Sequence, residues 1–121
     1  MASILVIDDD IDLRTVICVI LEKAGYQVEE AGDGKEGVDL FRQNPADLVI
    51  TDLIMPEQEG VETIIELRKE FPDTRIIAMS GGGRSEPASF LGFANKLGAA
   101  ETLEKPFSRD HLLSTVEKVL N

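Results

Sequence analysis

Read for apolar and polar positions, the chain alternates short apolar runs with longer stripes of helical spacing. Ser3 to Ile7 is an apolar run that meets Asp8-Asp9-Asp10 without a gap. Leu13, Val16, Ile17, Ile20, Leu21 and Ala24 then fall on a helical stripe, with Asp10 placed as N-cap and Gly25 as its close. Gln27 to Ala31 has little apolar content and suits a sheet edge. Asp33-Gly34-Lys35-Glu36 has the form of a capping box, and Gly37, Val38 and Phe41 give the following helix a narrow core face that Asn44-Pro45-Ala46 ends.

The run from Leu48 to Thr51 stops abruptly at Asp52, with Leu53-Ile54-Met55-Pro56 after it, which predicts a buried strand that delivers a carboxylate to the rim of a sheet. Val61, Ile64, Ile65, Leu67 and Phe71 form the inner face of a third helix, stopped by Pro72-Asp73. Arg75 to Met79 is another apolar strand and ends at Ser80-Gly81-Gly82-Gly83. Pro87 opens a fourth helix with Phe90, Phe93, Ala94 and Leu97 as its stripe and Gly98 at its end. Glu101 to Glu104 is a short polar strand leading into Lys105-Pro106. Ser108 caps the fifth helix, Phe107 and Leu112 are spaced as a hydrophobic staple, and Leu113, Val116 and Leu120 continue its core face.

Five strands alternating with five helices predict an α/β fold in which a doubly wound parallel sheet is covered by helices on both faces. The first, third and fourth strands are the most apolar and therefore internal, as in the order 2-1-3-4-5. Residues 1–121 are expected to form a single domain, with no output domain attached.

Composition narrows the partners. Twelve basic against 23 acidic residues give a formal charge of -11, which argues against nucleic acid and against an anionic membrane surface. No apolar run approaches membrane-spanning length, and Met1-Ala2-Ser3 leads straight into a strand rather than a signal peptide. Cys18 is the sole cysteine, in keeping with a reducing compartment. A cytoplasmic location is expected.

In the 2-1-3-4-5 order the central strand ends bring Asp8, Asp9, Asp52 and Ser80 together, with Lys105 arriving from the neighbouring edge. Two ionised carboxylates ~4 Å apart repel by about 4 kcal/mol at an effective dielectric of about 20, so three on one rim need compensation. A divalent cation supplies it, and an oxygen-only donor set suits Mg²⁺, with Mn²⁺ fitting the same donors. His111 reads as a surface helix residue without a catalytic role. The glycines after Ser80 read as a turn, since the Walker pattern is missing.

Four motifs in order, Ile4-Leu5-Val6-Ile7-Asp8-Asp9-Asp10, Asp52-Leu53-Ile54-Met55-Pro56 with Gly60, Ser80-Gly81, and Lys105-Pro106-Phe107, make the whole chain closely resemble the receiver domain of two-component response regulators. The resemblance implies a flavodoxin-like fold and phosphorylation of Asp52 by a histidine kinase or a histidine phosphotransfer protein. It implies Asp9 as a direct Mg²⁺ ligand, Asp8 acting mainly through water, and contributions from Asp52 and the Ile54 backbone carbonyl. Ser80 would hydrogen-bond one phosphoryl oxygen and Lys105 would pair with another. Phosphorylation would then switch the surface presented to a downstream protein target.

Several positions depart from the family pattern. Thr102 stands where an aromatic switch residue is usual, Glu59 where a shorter acid is common, and the loop after Ser80 is longer than usual. Ile54 and Gly82, which flank the path of an attacking water in family members, offer no polar side chain, so slow self-dephosphorylation is expected. Ile11 and Cys18, off the core stripe of the first helix, are expected to join Pro106 and Phe107 in a patch that docks the phosphodonor protein.

Other classes fit less well. A haloacid-dehalogenase-type phosphatase expects Asp-x-Asp-x-Thr or Asp-x-Asp-x-Val on the first strand, whereas Asp8-x-Asp10 is followed by Ile11-Asp12. A flavin carrier needs a hydroxyl-rich phosphate loop where acids stand here. A receiver-shaped interaction module that acts without phosphorylation is the remaining alternative.

Overall fold

The apolar runs pair with one another because each carries two opposite apolar faces that only a layer of helices on either side can cover. The computed structural model describes residues 2–53, 59–81 and 96–121. Its elements are β1 (Ser3–Ile7), α1 (Ile11–Lys23), β2 (Gln27–Ala31), α2 (Gly34–Gln43), β3 (Leu48–Asp52), α3 (Glu59–Glu70), β4 (Arg75–Ser80), β5 (Glu101–Glu104) and α4 (Arg109–Leu120). The sheet is parallel throughout, in the order β2-β1-β3-β4-β5. The expected topology is present. The fourth helix expected from the sequence falls largely on 82–95, outside the described residues. Lys96 and Leu97 are helical, and Gly98 follows at φ 105°, as a helix-closing glycine does.

The two-residue period of the strands divides the core in two. Leu5, Ile7, Val49, Ile76 and Ala78 face Val38 and Phe41 of α2 and Ile64 and Leu67 of α3. Ile4, Val6, Leu48, Ile50, Ile77, Met79 and Leu103 face Ile17 and Leu21 of α1 and Leu112 and Val116 of α4. Every residue of β3 is buried, whereas β2 and β5 each bury a single residue, which is why they take the edges. Ile65, expected inside, is half exposed because it lies one helical step beyond the stripe of Ile64 and Leu67.

The caps hold the helix ends as expected. Asp10 accepts from the N–H groups of Asp12 and Leu13, Asp33 from Glu36, and Ser108 from His111. Glu36 reaches back one residue further than an ideal box, to the N–H of Gly32 at 2.8 Å. After α1, the N–H of Tyr26 bonds the Leu21 carbonyl and that of Gly25 bonds Glu22, a Schellman close.

Helix α1 keeps most of the expected stripe, with Ile17 and Leu21 buried and Leu13 and Ile20 packed against the core, but is turned toward Cys18. Cys18 is buried in the core beside Ile17 and Leu21, while Val16 and Val19 are 54% and 43% exposed. Arg14 accounts for the rotation. Its side chain is only 14% exposed, because its guanidinium is drawn inward to Glu30 and to the Asp8 carbonyl, and Cys18 lies one turn along the same face.

Candidate functional site

Asp8, Asp52, Ser80 and Lys105 are delivered to one end of the sheet by the ladder itself. The Asp8 N–H bonds the Ala31 carbonyl at 3.2 Å, extending the pairing of β1 with β2 by one residue. The Leu53 N–H bonds Met79 O at 2.7 Å just past Asp52, and the Lys105 N–H bonds Ser80 O at 2.9 Å just past β5. The functional side chains thus stand on backbone that is still hydrogen-bonded. Asp8, Asp52 and Ser80 are buried, Lys105 is part-buried and Asp9 is exposed.

Lys105 Nζ donates to Asp52 Oδ2 at 2.9 Å and to Asp8 Oδ2 at 3.2 Å. Burial of the ammonium would lower its pKa, but the hydrogen bond and charge of Asp52, followed by those of Asp8, outweigh burial and raise it above the ordinary lysine value. It is therefore a permanent cation at neutral pH. One Lys⁺ faces three acids, since Asp8, Asp9 and Asp52 each place a carboxylate oxygen within 4.8 Å of the others.

That donor set fits a hard divalent cation: three carboxylate oxygens, no nitrogen or sulfur, and an exposed Asp9 that leaves room for water ligands. The acidic cluster can hold a metal. Ile54, whose carbonyl is expected to contribute, lies outside the described residues, as does Gly82. Thr102 sits half-buried on β5 opposite Ala78, on the strand that leads into Lys105.

Gly60, noted in the sequence only as part of a motif, has a physical reason here. It is buried in the first turn of α3, and a Cβ at that position would collide with the backbone carbonyls of Asp52 and Leu53. The helix therefore seats directly on the strand end that carries Asp52. No periodicity could show this, because the contact is backbone to backbone.

Of the expected docking residues, Ile11 is 62% exposed, Pro106 is exposed and Phe107 is half-buried against the core. Cys18 does not belong with them. It lies inside the core, and its thiol is pushed up to about 11, by burial first and then by Glu30 and Glu22, with Arg14 opposing. The exposed large apolar residues of α1 are Ile11, Val16 and Val19; Val16 was expected on the core stripe, and Val19 lay off that stripe without being singled out.

A strand-end acid triad with a bridging lysine, on a parallel sheet wound 2-1-3-4-5, defines a class. Residues 4–117 match the response regulator receiver domain, and the chain belongs to that family. The chemotaxis protein CheY of Bacillus subtilis is 34% identical over 119 residues, covering 98% of this chain and 97% of the relative. The transcriptional regulator NtrC of Azospirillum brasilense is 38% identical over 99% of this chain, which spans 24% of that longer protein. Among solved structures, CheY4 of Vibrio cholerae superposes with a TM-score of 0.89 at 30% identity, covering 98% of both chains. A receiver domain from Clostridium thermocellum gives 0.90 at 33% identity, covering all of this chain and 95% of the other.

The chain is thus a receiver domain of two-component response regulators, a phosphorelay signalling module similar to CheY. Receiver domains are signalling switches that work with histidine kinases and downstream effectors. Among the described residues, no helix is long and apolar enough to cross a membrane.

Proposed function

We propose that Asp52 is the phosphoacceptor of this receiver, supplied by a histidine kinase or a histidine phosphotransfer protein. The observation that carries this is the placement of the Asp52 carboxylate, buried, 2.9 Å from Lys105 and with an oxygen within 4.8 Å of carboxylate oxygens of Asp8 and Asp9. An Asp52 oxygen attacks the phosphorus of a phosphohistidine, the P–N bond breaks, and the histidine nitrogen leaves with its electron pair. Lys105, already beside that oxygen, pairs with the phosphoryl group once it arrives. Ser80, at the end of the neighbouring strand, donates its hydroxyl to a second phosphoryl oxygen.

Asp8, Asp9 and Asp52 hold Mg²⁺, or Mn²⁺ in its place, with the Ile54 carbonyl as a further donor. When bound, the ion supplies positive charge where the phosphoryl oxygens gather. The domain has no separate substrate to turn over: it assists its own phosphorylation and dephosphorylation. Residues 1–121 act as one receiver unit in the cytoplasm, and its charge disfavours nucleic acid and membrane as partners.

The added phosphoryl charge, about -1.5 to -2, draws Ser80 inward and reaches the output surface through Thr102, without the aromatic lever usual in the family. The phosphodonor protein docks on Ile11, Val16 and Val19 with Pro106 and Phe107. Ile11→Glu is expected to lose transfer from a phosphotransfer protein while keeping phosphorylation by a small donor, and equal loss of both would remove this surface from the account.

Intact mass after incubation with Mg²⁺ and acetyl phosphate tests the core reading. One phosphoryl adduct is expected, absent without Mg²⁺ and absent in Asp52→Asn. No adduct with any donor would replace this reading by that of an interaction module working without phosphorylation.

A further inference from the structure

The acid cluster has a second cation behind it that the phosphoryl chemistry does not use. Arg14, on the first turn of α1, donates through Nε to Glu30 Oε1 at 2.7 Å and through Nη1 to the backbone carbonyl of Asp8 at 2.8 Å. Its planar fork therefore ties the end of β1 to the edge strand β2. Asp8 becomes fixed at four points: its N–H on Ala31, its carbonyl on Arg14, its Oδ1 on the Asp10 N–H at 2.9 Å, and its Oδ2 on Lys105.

The carbonyl that Arg14 holds belongs to the peptide joining Asp8 to Asp9. A peptide unit is planar, so fixing its oxygen fixes the direction in which the chain enters Asp9. Asp9 is exposed, and among the described residues it takes part in no ion pair or side-chain hydrogen bond. Its aim toward Asp8 and Asp52 is set by the backbone that precedes it, and Arg14 is the side chain that grips this backbone.

We propose that Arg14 is a positioning residue for the divalent cation held by Asp8, Asp9 and Asp52, orienting the Asp8–Asp9 peptide so that both carboxylates face one point. The inference rests on the metal site proposed above. It carries a sign of its own. As a mere positive charge near the site, Arg14 would oppose a second cation, and its removal would tighten binding. As a positioning group it does the reverse, because groups that orient metal ligands typically contribute 10–100-fold in affinity. Glu30 offsets the arginine charge, which leaves geometry as its main effect.

The test is Mg²⁺ titration by calorimetry of the unphosphorylated protein as wild type, Arg14→Lys, Arg14→Gln and, as a control on a distant arginine, Arg42→Gln. Both Arg14 variants are expected to bind about tenfold more weakly or worse, since lysine keeps the charge but cannot span Glu30 and the Asp8 carbonyl together. The control keeps wild-type affinity. A metal-free readout accompanies it: hydrogen exchange of the Asp10 amide, held by Asp8 Oδ1, is expected to quicken in both Arg14 variants while circular dichroism keeps the fold. Arg14→Gln binding as tightly as wild type or tighter, or Arg14→Lys keeping full affinity, would overturn the positioning role and leave the metal site standing. A wild type that binds no Mg²⁺ would remove both.

Discussion

Two regions of this molecule carry the same charge inventory, three carboxylates around one base, and do different things with it. At the strand ends, Asp8, Asp9 and Asp52 cluster together and Lys105 pairs with Asp8 and Asp52. Between α2 and α3, Asp39, Glu66 and Glu70 surround Arg42. In the helical cluster the side chains stay 40–51% exposed, and the guanidinium fork reaches all three acids. Arg42 is held above the usual arginine value, first by its hydrogen bond to Glu70, and that same bond lowers the Glu70 pKa. Water and salt screen such a cluster, so it clasps two helices and little else.

The strand-end cluster is built from short side chains on hydrogen-bonded backbone, with Asp8 fully buried and Asp52 nearly so. Lysine is a point charge rather than a fork, and it bonds Asp8 and Asp52 but not Asp9. The comparison teaches that burial and incomplete neutralisation, not the number of acids, distinguish a site from a clasp. The exposed cluster is satisfied as it stands, whereas in the buried one Asp9, on its open side, has no ion-pair partner among the described residues.

The sharpest way to break this contrast is to push the buried cluster off its support. Gly60→Val should clash with the Asp52 and Leu53 carbonyls, cost about 3 kcal/mol in urea unfolding, and abolish the phosphoryl adduct in whatever fraction remains folded. Wild-type stability in this variant would mean that α3 does not seat on Asp52. Next in size, Lys105→Met leaves two buried carboxylates facing each other. It should cost about 2 kcal/mol, somewhat less than a fully buried broken pair because the lysine is part-exposed, and millimolar Mg²⁺ should restore most of the loss. Failure of Mg²⁺ to rescue would argue that the cation does not use these acids.

Arg42→Met is the matched change in the exposed cluster. A far smaller loss is expected, one that disappears in molar salt and does not respond to Mg²⁺. Equal losses in the two variants would erase the distinction. At neutral pH Cys18 contributes no pH dependence, and its effect is confined to alkali. Its pKa is raised from 9.0 to about 11, so the native state favours the neutral thiol. The stabilisation is complete below pH 9 and is lost as pH rises through about 11. A thiol reagent at neutral pH should label Cys18 only in denaturant, and rapid labelling of the folded chain would return Cys18 to the surface.

Most of the fold was legible because apolar content tracks position in this sheet: β3 is buried throughout and sits in the middle, while polar β2 and β5 sit outside. The acid cluster and Lys105 were legible because each follows an apolar run directly. The face of α1 was misread because Arg14 counts as polar in any periodicity, although its fork is satisfied by Glu30 and a carbonyl that only the folded chain brings near. Cys18 went inward with it, and Val16 came out. Gly60 was visible as a motif, but its cause is a backbone contact that leaves no periodic trace.

The most direct test of the central claim is chemical trapping of the phosphorylated residue. The protein is incubated with Mg²⁺ and acetyl phosphate, then treated with borohydride, which reduces an aspartyl phosphate to homoserine with release of phosphate, and is sequenced as peptides by mass spectrometry. Homoserine is expected at Asp52 alone, and only when Mg²⁺ was present. Homoserine at Asp8 or Asp9 instead, or at no position, would contradict the assignment of Asp52 as the acceptor that Lys105 and the metal site serve.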